Sequence, residues 1–377
     1  MGGAGRGRGD RPRARLAVRL YTARWVLPVT APPVRDGAVA VDPAGRIAYV
    51  GPAAGAPPGG AHPLGAAVLL PGLVAHAPPG PPPPAAFLAR GATTLAIPVA
   101  DEGELAALLA SGVRAVAYRM VAGPLPADRE PALVALRAAV ARTHTAIADA
   151  GATARVHPGV AAAPAYAAHE DLLIDACAWA VGERLPLAVT AGASPAEVDY
   201  LREATGLHAD ALRTAGVEVV RRAYSTVHLL AELGVAAVAR PLLVGGTEFD
   251  ESDVALAAYY GCPVAYMPLG IAPAPLHALL DAGVPVALAA SDPLATAARL
   301  ARTPSEALDL VTLGAARALG LDADVGSLEV GKSADLCAFP LDTAACRAAD
   351  ADGPAAALCA HSPRAPTLTL VQGRART

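Results

Sequence analysis

Lysine is almost missing from this chain. Lys332 is the only one in 377 residues, and arginine carries the positive charge. That is the coding habit of a GC-rich genome and points to no function. Aromatic residues are also scarce, at 4%, although hydrophobic residues make up 54%. The core is therefore large but built from Ala, Val and Leu rather than from rings. Despite a mean hydropathy of +0.40, no apolar run reaches the length of a membrane span, because Pro71, Gly72 and the stretch from Pro78 to Pro84 interrupt the best candidate. The five cysteines, Cys177, Cys262, Cys337, Cys346 and Cys359, are odd in number and form no CxxC pair. They fit reduced thiols in a cytoplasmic protein better than disulfides or a zinc knuckle. A net charge of −4 gives no sign of a nucleic-acid partner. Nowhere is there a His-x-His, HxxxH or HExxH for a metal, or a Gly-x-Ser-x-Gly elbow for a nucleophile.

What is present has a clear order. Residues 1–15 are rich in Gly and Arg, with no apolar segment after them to make a leader. They read as a disordered basic tail. From Leu16 to Leu70 short strands and turns alternate, as in Ala17–Tyr21, Gly37–Val41 and Arg46–Val50. The habit returns after Ala334, in Asp335–Phe339 and Leu368–Val371. The two ends, residues 16–70 and 320–377, are expected to form one composite β-sandwich.

Between them strand and helix signals alternate. Strands are expected at Val68–Ala75, Thr93–Val99, Ala115–Tyr118, Arg155–Val160, Pro186–Thr190, Pro241–Val244, Val264–Met267 and Pro285–Ala289. Helices are expected at Glu102–Leu109, Glu130–Ala150, His169–Val181, Pro195–Ala204 and Asp250–Tyr260. Eight strands suit a closed (β/α)8 barrel over residues 71–319. An open doubly wound sheet is the alternative, but no Gly-x-Gly-x-x-Gly follows an early strand.

Two motifs frame the barrel. Pro71-Gly72-Leu73-Val74-Ala75-His76-Ala77-Pro78 opens it, and Gly326-Ser327-Leu328-Glu329-Val330-Gly331-Lys332-Ser333-Ala334-Asp335-Leu336 follows it. Together they resemble the two ends of the amidohydrolase superfamily, metal-dependent hydrolases and deaminases acting on C–N bonds. The segments between are similar to its deaminase-like branch, which includes aminofutalosine, S-adenosylhomocysteine and cytosine deaminases. The resemblance implies a (β/α)8 barrel beside a small sandwich built from both termini. It also implies a metal held by His-x-His on the first barrel strand, one histidine each on the fifth and sixth, and an aspartate on the eighth. That metal would activate a bound water.

Position by position, the implied ligands are absent. His76 matches the first histidine, with one spacer residue deleted, and Pro78 stands where the second belongs. In Leu185–Val198, which resembles a strand-five segment, Thr190 replaces the histidine and Ala193 a glutamate, while Ser194 and Glu197 keep a capping box. In Pro241–Asp250, Gly245 replaces the strand-six histidine, and Glu248 is a carboxylate at the same rim. At Val286–Ala295 either Ser291 or Asp292 holds the aspartate position, and the ungapped alignment favours Ser291. Ala163 replaces a substrate-binding histidine, leaving Tyr166 as a candidate ligand contact. A polyproline run, Pro78 to Pro84, stands where the family has a loop and helix over the substrate.

A single imidazole makes no metal site. The expectation is a catalytically inactive homologue of metal-dependent deaminases, with no metal and no cofactor, binding a nucleoside-like ligand or an active paralogue. The alternative is a metal-independent or residual hydrolase with a rebuilt site, in which Asp292 and His76 are the catalytic candidates. The bland reading of His76 is an unliganded histidine at a strand end.

Overall fold

The computed structural model describes residues 18–268, 274–360 and 365–376. The basic tail and His361 lie outside them. The described residues form two sheets, each of eight strands. The first contains β1 (Arg19–Val26), β2 (Val34–Val41), β3 (Ile47–Pro52), β4 (Gly60–Pro63) and β5 (Ala67–Pro71). The second contains β6 (Leu73–His76), β7 (Ala92–Pro98), β8 (Arg114–Val121), β9 (Val156–Ala162), β10 (Leu187–Ala191), β11 (Leu242–Gly245), β12 (Val264–Tyr266) and β13 (Val286–Leu288). Then β14 (Leu336–Pro340), β15 (Leu368–Val371) and β16 (Arg374–Ala375) return to the first.

The β6–β13 sheet is wholly parallel and in sequence order. His76 bridges to Ala289 at the end of β13, and the Ala290 amide donates to the His76 carbonyl at 3.2 Å, so the first and last strands meet. This is the expected (β/α)8 barrel. Its strands are buried on both faces and read as near-continuous apolar runs, as parallel strands do. Inside, small side chains dominate. Val74, Ala96, Val116, Tyr118, Ala161, Ala188, Leu242, Ala265 and Ala287 share one cluster with Ala315, Ala316 and Ala318 of the helix Leu313–Ala318. Outside, a second cluster joins the alternate strand residues to the helices.

The strand expected at Val68–Ala75 is two strands. β5 pairs antiparallel with β14 in the terminal sheet, and β6 begins the barrel. The chain turns between sheets at Gly72, whose amide donates to the Asp335 carbonyl at 2.8 Å. A Cβ there would lie 2.1 Å from Thr93 Oγ1, so only glycine fits.

Both termini share the first sheet, in the order β16-β15-β14-β5-β1-β2-β3 with β4 beside β1. Tyr21, Val39, Leu69, Leu336 and Leu370 meet in one core beneath it. The C-terminal part is not all strand, however. Helices at Thr343–Ala351 and Pro354–Ala360 separate β14 from β15. The five expected helices form within two residues of their expected ends, several behind side-chain caps such as Asp101, Ser194 and Asp250. Between β10 and β11 three more helices follow the one at Pro195–Glu203, at Gly206–Thr214, Thr226–Glu232 and Val235–Ala239. No helix among the described residues is long and apolar enough to cross a membrane.

Candidate active site at the barrel rim

Catalytic residues of such barrels sit at the C-terminal ends of the strands. Strand alternation assigns the faces. On β6, Leu73 and Ala75 pack outward while Val74 packs inward, so His76 faces the lumen at the rim. It is 4% exposed. Its Nδ1 lies 2.7 Å from the Ala77 carbonyl, which can only accept, so that nitrogen carries the proton. Burial drives the pKa of the ring down to about 4. His76 is thus a neutral imidazole and a poor base near pH 7.

Two residues on, half-buried Pro78 supplies no donor group. On β10, Ala188 faces the lumen and Thr190, at the same parity, stands above it. Its register partner on β11 is Val244. Gly245 is at the opposite parity and has φ of 139°. A Cβ built there would lie 2.4 Å from the Ala191 carbonyl oxygen and 3.1 Å from Ala193 Cα. No side chain fits that backbone without moving the neighbouring strand.

The ends of β10 and β11 are also tied to each other. Gly246 N donates to Ala191 O at 2.9 Å and Glu248 N to Gly192 O at 3.1 Å. Buried Glu197 accepts from Gly192 N at 2.9 Å, Ala193 N at 3.0 Å and the Thr226 hydroxyl. Burial pushes its pKa up, against these hydrogen bonds. The residue expected only to complete a capping box therefore holds the whole loop. Glu248 itself is half-buried and near Tyr266, whose pKa is raised by burial and then by this carboxylate.

The strand-eight candidates separate. Ser291 is exposed. Asp292 caps the helix Pro293–Leu300 by accepting from Ala295 N at 3.3 Å, and it ion-pairs with Arg90. Arg90 lies just beyond the polyproline run and its short helix Pro84–Leu88, so this pair joins the shortened first connection to the strand-eight loop. Tyr166 stacks on His208, ring centroids 3.5 Å apart, and meets Tyr200 edge-on. Ala163 is buried behind β9.

One polar cluster lacked a sequence signal. Ser225 Oγ donates to Asp253, and His228 Nδ1 lies 3.0 Å from Ser225 Oγ and 3.3 Å from Asp253 Oδ1. The three residue types suggest a triad, but a triad needs the serine on one ring nitrogen and the acid on the other. Here both face Nδ1. Ser225 and Asp253 instead stitch together the N-termini of helices Thr226–Glu232 and Glu251–Tyr260.

Among the described residues no three His, Cys, Asp or Glu side chains are grouped so as to hold a metal ion. The residues at the rim do not fit the zinc or iron of the resemblance: one imidazole turned to a backbone carbonyl, a proline, a threonine and a glycine. Among the described residues, the two catalytic candidates are thus already engaged: His76 with the Ala77 carbonyl, and Asp292 with Arg90 and the Ala295 amide.

Comparison with known proteins gives the context. The model of the amidohydrolase family matches residues 85–375. The chain is similar to imidazolonepropionase from Shewanella frigidimarina, 56% identical over 43 residues, which is 11% of this chain and 10% of that enzyme. It thus spans only a small part of that relative's length. Helicobacter pylori aminofutalosine deaminase superposes with a TM-score of 0.78 at 15% identity, covering 95% of this chain and 100% of that one. An adenosine deaminase from Xanthomonas campestris with bound zinc superposes with a TM-score of 0.70 at 21% identity, covering 95% and 92%.

Proposed function

The chain belongs to the amidohydrolase family, and we propose that within it this protein is a non-catalytic member of the deaminase-like branch, a binding protein rather than a hydrolase. The observation that carries the reading is Gly245. The resemblance puts a metal-binding histidine there, but the backbone has φ of 139° and a Cβ on it would lie 2.4 Å from the Ala191 carbonyl oxygen, so a side chain does not fit without a shift. Thr190 and Pro78 support it from the neighbouring strands. Bulk water has a pKa near 15.7, and a metal brings it to about 7, a difference worth roughly 12 kcal/mol. One buried neutral imidazole supplies nothing comparable. A rebuilt metal-free site would need His76 and Asp292 to act together. His76 Nδ1 is held by Ala77, and Asp292 is engaged by Arg90 and a helix amide. By the same proposal its ligand is a flat, nucleoside-like molecule at the rim, or it acts beside an active paralogue; the names of the superposed adenosine and aminofutalosine deaminases are in keeping with the first.

The test joins elemental analysis to an assay. The purified protein is expected to carry no stoichiometric zinc or iron and to deaminate neither adenosine, aminofutalosine, cytosine nor guanine above background, with or without added Zn2+. Metal-dependent turnover that disappears in His76→Ala would sink the proposal.

A further inference from the structure

A cleft beside the rim is distinct from the lumen. It opens where β7 and β8 end, with the helix Arg129–Asp149 as its wall, and encloses about 550 Å3. The helix turns Ala132, Ala135 and Ala139 toward it, at spacings that share one face. The short alanine side chains leave an open groove along this face, with Ala135 exposed and Ala132 and Ala139 half-buried. Of the residues lining it, the two charged ones are Arg119 and Arg142. Arg119 follows lumen-facing Tyr118 on β8, so it points out of the barrel and under the helix.

The side chain of Arg119 is only 4% exposed. Its Nε donates to Thr143 Oγ1 at 2.8 Å and its Nη1 to the Val99 carbonyl at 3.2 Å. Nη2 reaches Glu102 Oε1 only at 3.5 Å, the limit of a hydrogen bond. Arg142 Nε takes the same Oε1 at 2.9 Å. One carboxylate thus serves two guanidiniums, and it is 58% exposed and outside the cleft lining. A guanidinium offers five N–H donors, and these contacts use three of Arg119's. A buried charge with so weak a counter-charge favours a second anion.

We infer that this cleft binds a small carboxylate with an apolar tail, its head on Arg119 and Arg142 and its tail along Ala132, Ala135 and Leu136. The head group follows from the match between a planar guanidinium and a carboxylate. The tail follows from the apolar wall, which would leave a bare inorganic anion with most of the cleft empty. The inference does not rest on the non-catalytic reading of the lumen, and either can fail alone.

Calorimetric titration of the purified protein with octanoate tests it, with octanol and octylamine as controls. Octanoate is expected to bind saturably, at least about tenfold more tightly than octanol, and octylamine not at all. Arg142→Ala, at an exposed position, is expected to weaken octanoate about tenfold. Ala135→Trp fills the cleft and is expected to abolish binding, with circular dichroism checking the fold; should it fail to fold, Arg142→Ala decides alone. Glu102→Gln removes the competing carboxylate and is expected to tighten binding. No saturable octanoate binding up to about 10 mM, equal binding of octanol, or a folded Arg142→Ala variant that binds as the unmodified protein does would overturn the inference.

Discussion

The two ends of the barrel use polar residues in opposite ways. At the N-terminal end, Arg114 opens β8 and reaches the terminal sheet. Its Nε donates to Asp335 Oδ2 at 2.9 Å and its Nη2 to Ser333 Oγ at 2.8 Å, with both charged side chains at 3% exposure or less. Asp335 Oδ1 also accepts from Gln372 N at 2.8 Å. Arg114, Ser333 and Asp335 are all hydrogen-bonded there, and one ion pair joins β8 to the segment before β14 and, through Gln372, to the C-terminal strands. At the C-terminal end, the positions that the resemblance gives to metal-binding histidines hold Thr190, Gly245 and Pro78. The residues that tie the two sheets together are thus separate from the rim positions within one barrel. The motif Ser333-Ala334-Asp335 belongs to the first kind. Chains can therefore keep the architecture while the rim changes.

The largest expected effect breaks the hydrogen-bonded end. Arg114→Met leaves Asp335 buried without its counter-charge and is expected to destabilise the protein by about 3–5 kcal/mol. Removing both charges together should cost less than the sum of the two single changes. Urea unfolding of the single and double variants measures this. An Arg114→Met protein within about 1 kcal/mol of the parent would show that the ion pair contributes little.

The next effect sharpens the contrast by pH. His76 has a folded-state pKa near 4 because it is buried, against 6.5 unperturbed. Below pH 6.5 the unfolded chain takes up a proton there that the folded chain refuses until about pH 4. Its contribution to stability is therefore whole above pH 6.5, falls as pH drops through this window and levels off below pH 4. The gap is worth roughly 3 kcal/mol. The difference in unfolding free energy between pH 7 and pH 4.5 is expected to shrink in His76→Gln. An unchanged difference would mean that the imidazole is not buried neutral.

A third test asks whether the rim can be refilled. Gly245→His is expected to destabilise by about 2 kcal/mol or more, through its positive φ and the clash with Ala191. Thr190→His, on a normal strand position, is expected to change stability by less than about 1 kcal/mol. Thermal melts of the two variants compare them directly. Equal tolerance at both sites would show that the backbone at Gly245 yields easily.

The same separation governs what could be read from the sequence. The alternating barrel was legible because parallel strands buried on both faces make unbroken apolar runs, and because caps such as Ser194 and Asp250 mark helix starts. The break at Gly72 was not, because β5 and β6 form one apolar run in which the change of sheet leaves no periodicity signal. The helices at Thr343–Ala351 and Pro354–Ala360 were hidden by an expectation of strands, although Asp342 and Pro354 stand at their starts. At the rim, the absent histidines were visible as letters. The closing of β10 on β11, the burial of Glu197 and the convergence of Ser225, His228 and Asp253 were not, since each depends on contacts across at least two elements.

The smallest effect bears on Asp292, the residue that both readings of the sequence kept in view. As a helix cap it accepts from Ala295 N, and as an ion-pair partner it meets Arg90, with 35% and 57% of the two side chains exposed. An exposed pair contributes at most about 1 kcal/mol, and a cap typically about 1. Asp292→Asn keeps an oxygen able to cap while removing the charge, so it isolates the ion pair. Asp292→Ala removes both. The expected order in unfolding free energy is parent, then Asn lower by a few tenths of a kcal/mol, then Ala lower by about 1 kcal/mol. Salt separates the two contributions further, since screening weakens the Arg90 pair and leaves the cap. If Asp292 were instead held for chemistry in a strained site, its removal would leave stability equal or higher. A stabilised Asp292→Ala protein would therefore reopen the rim as a place where the chain spends stability on function.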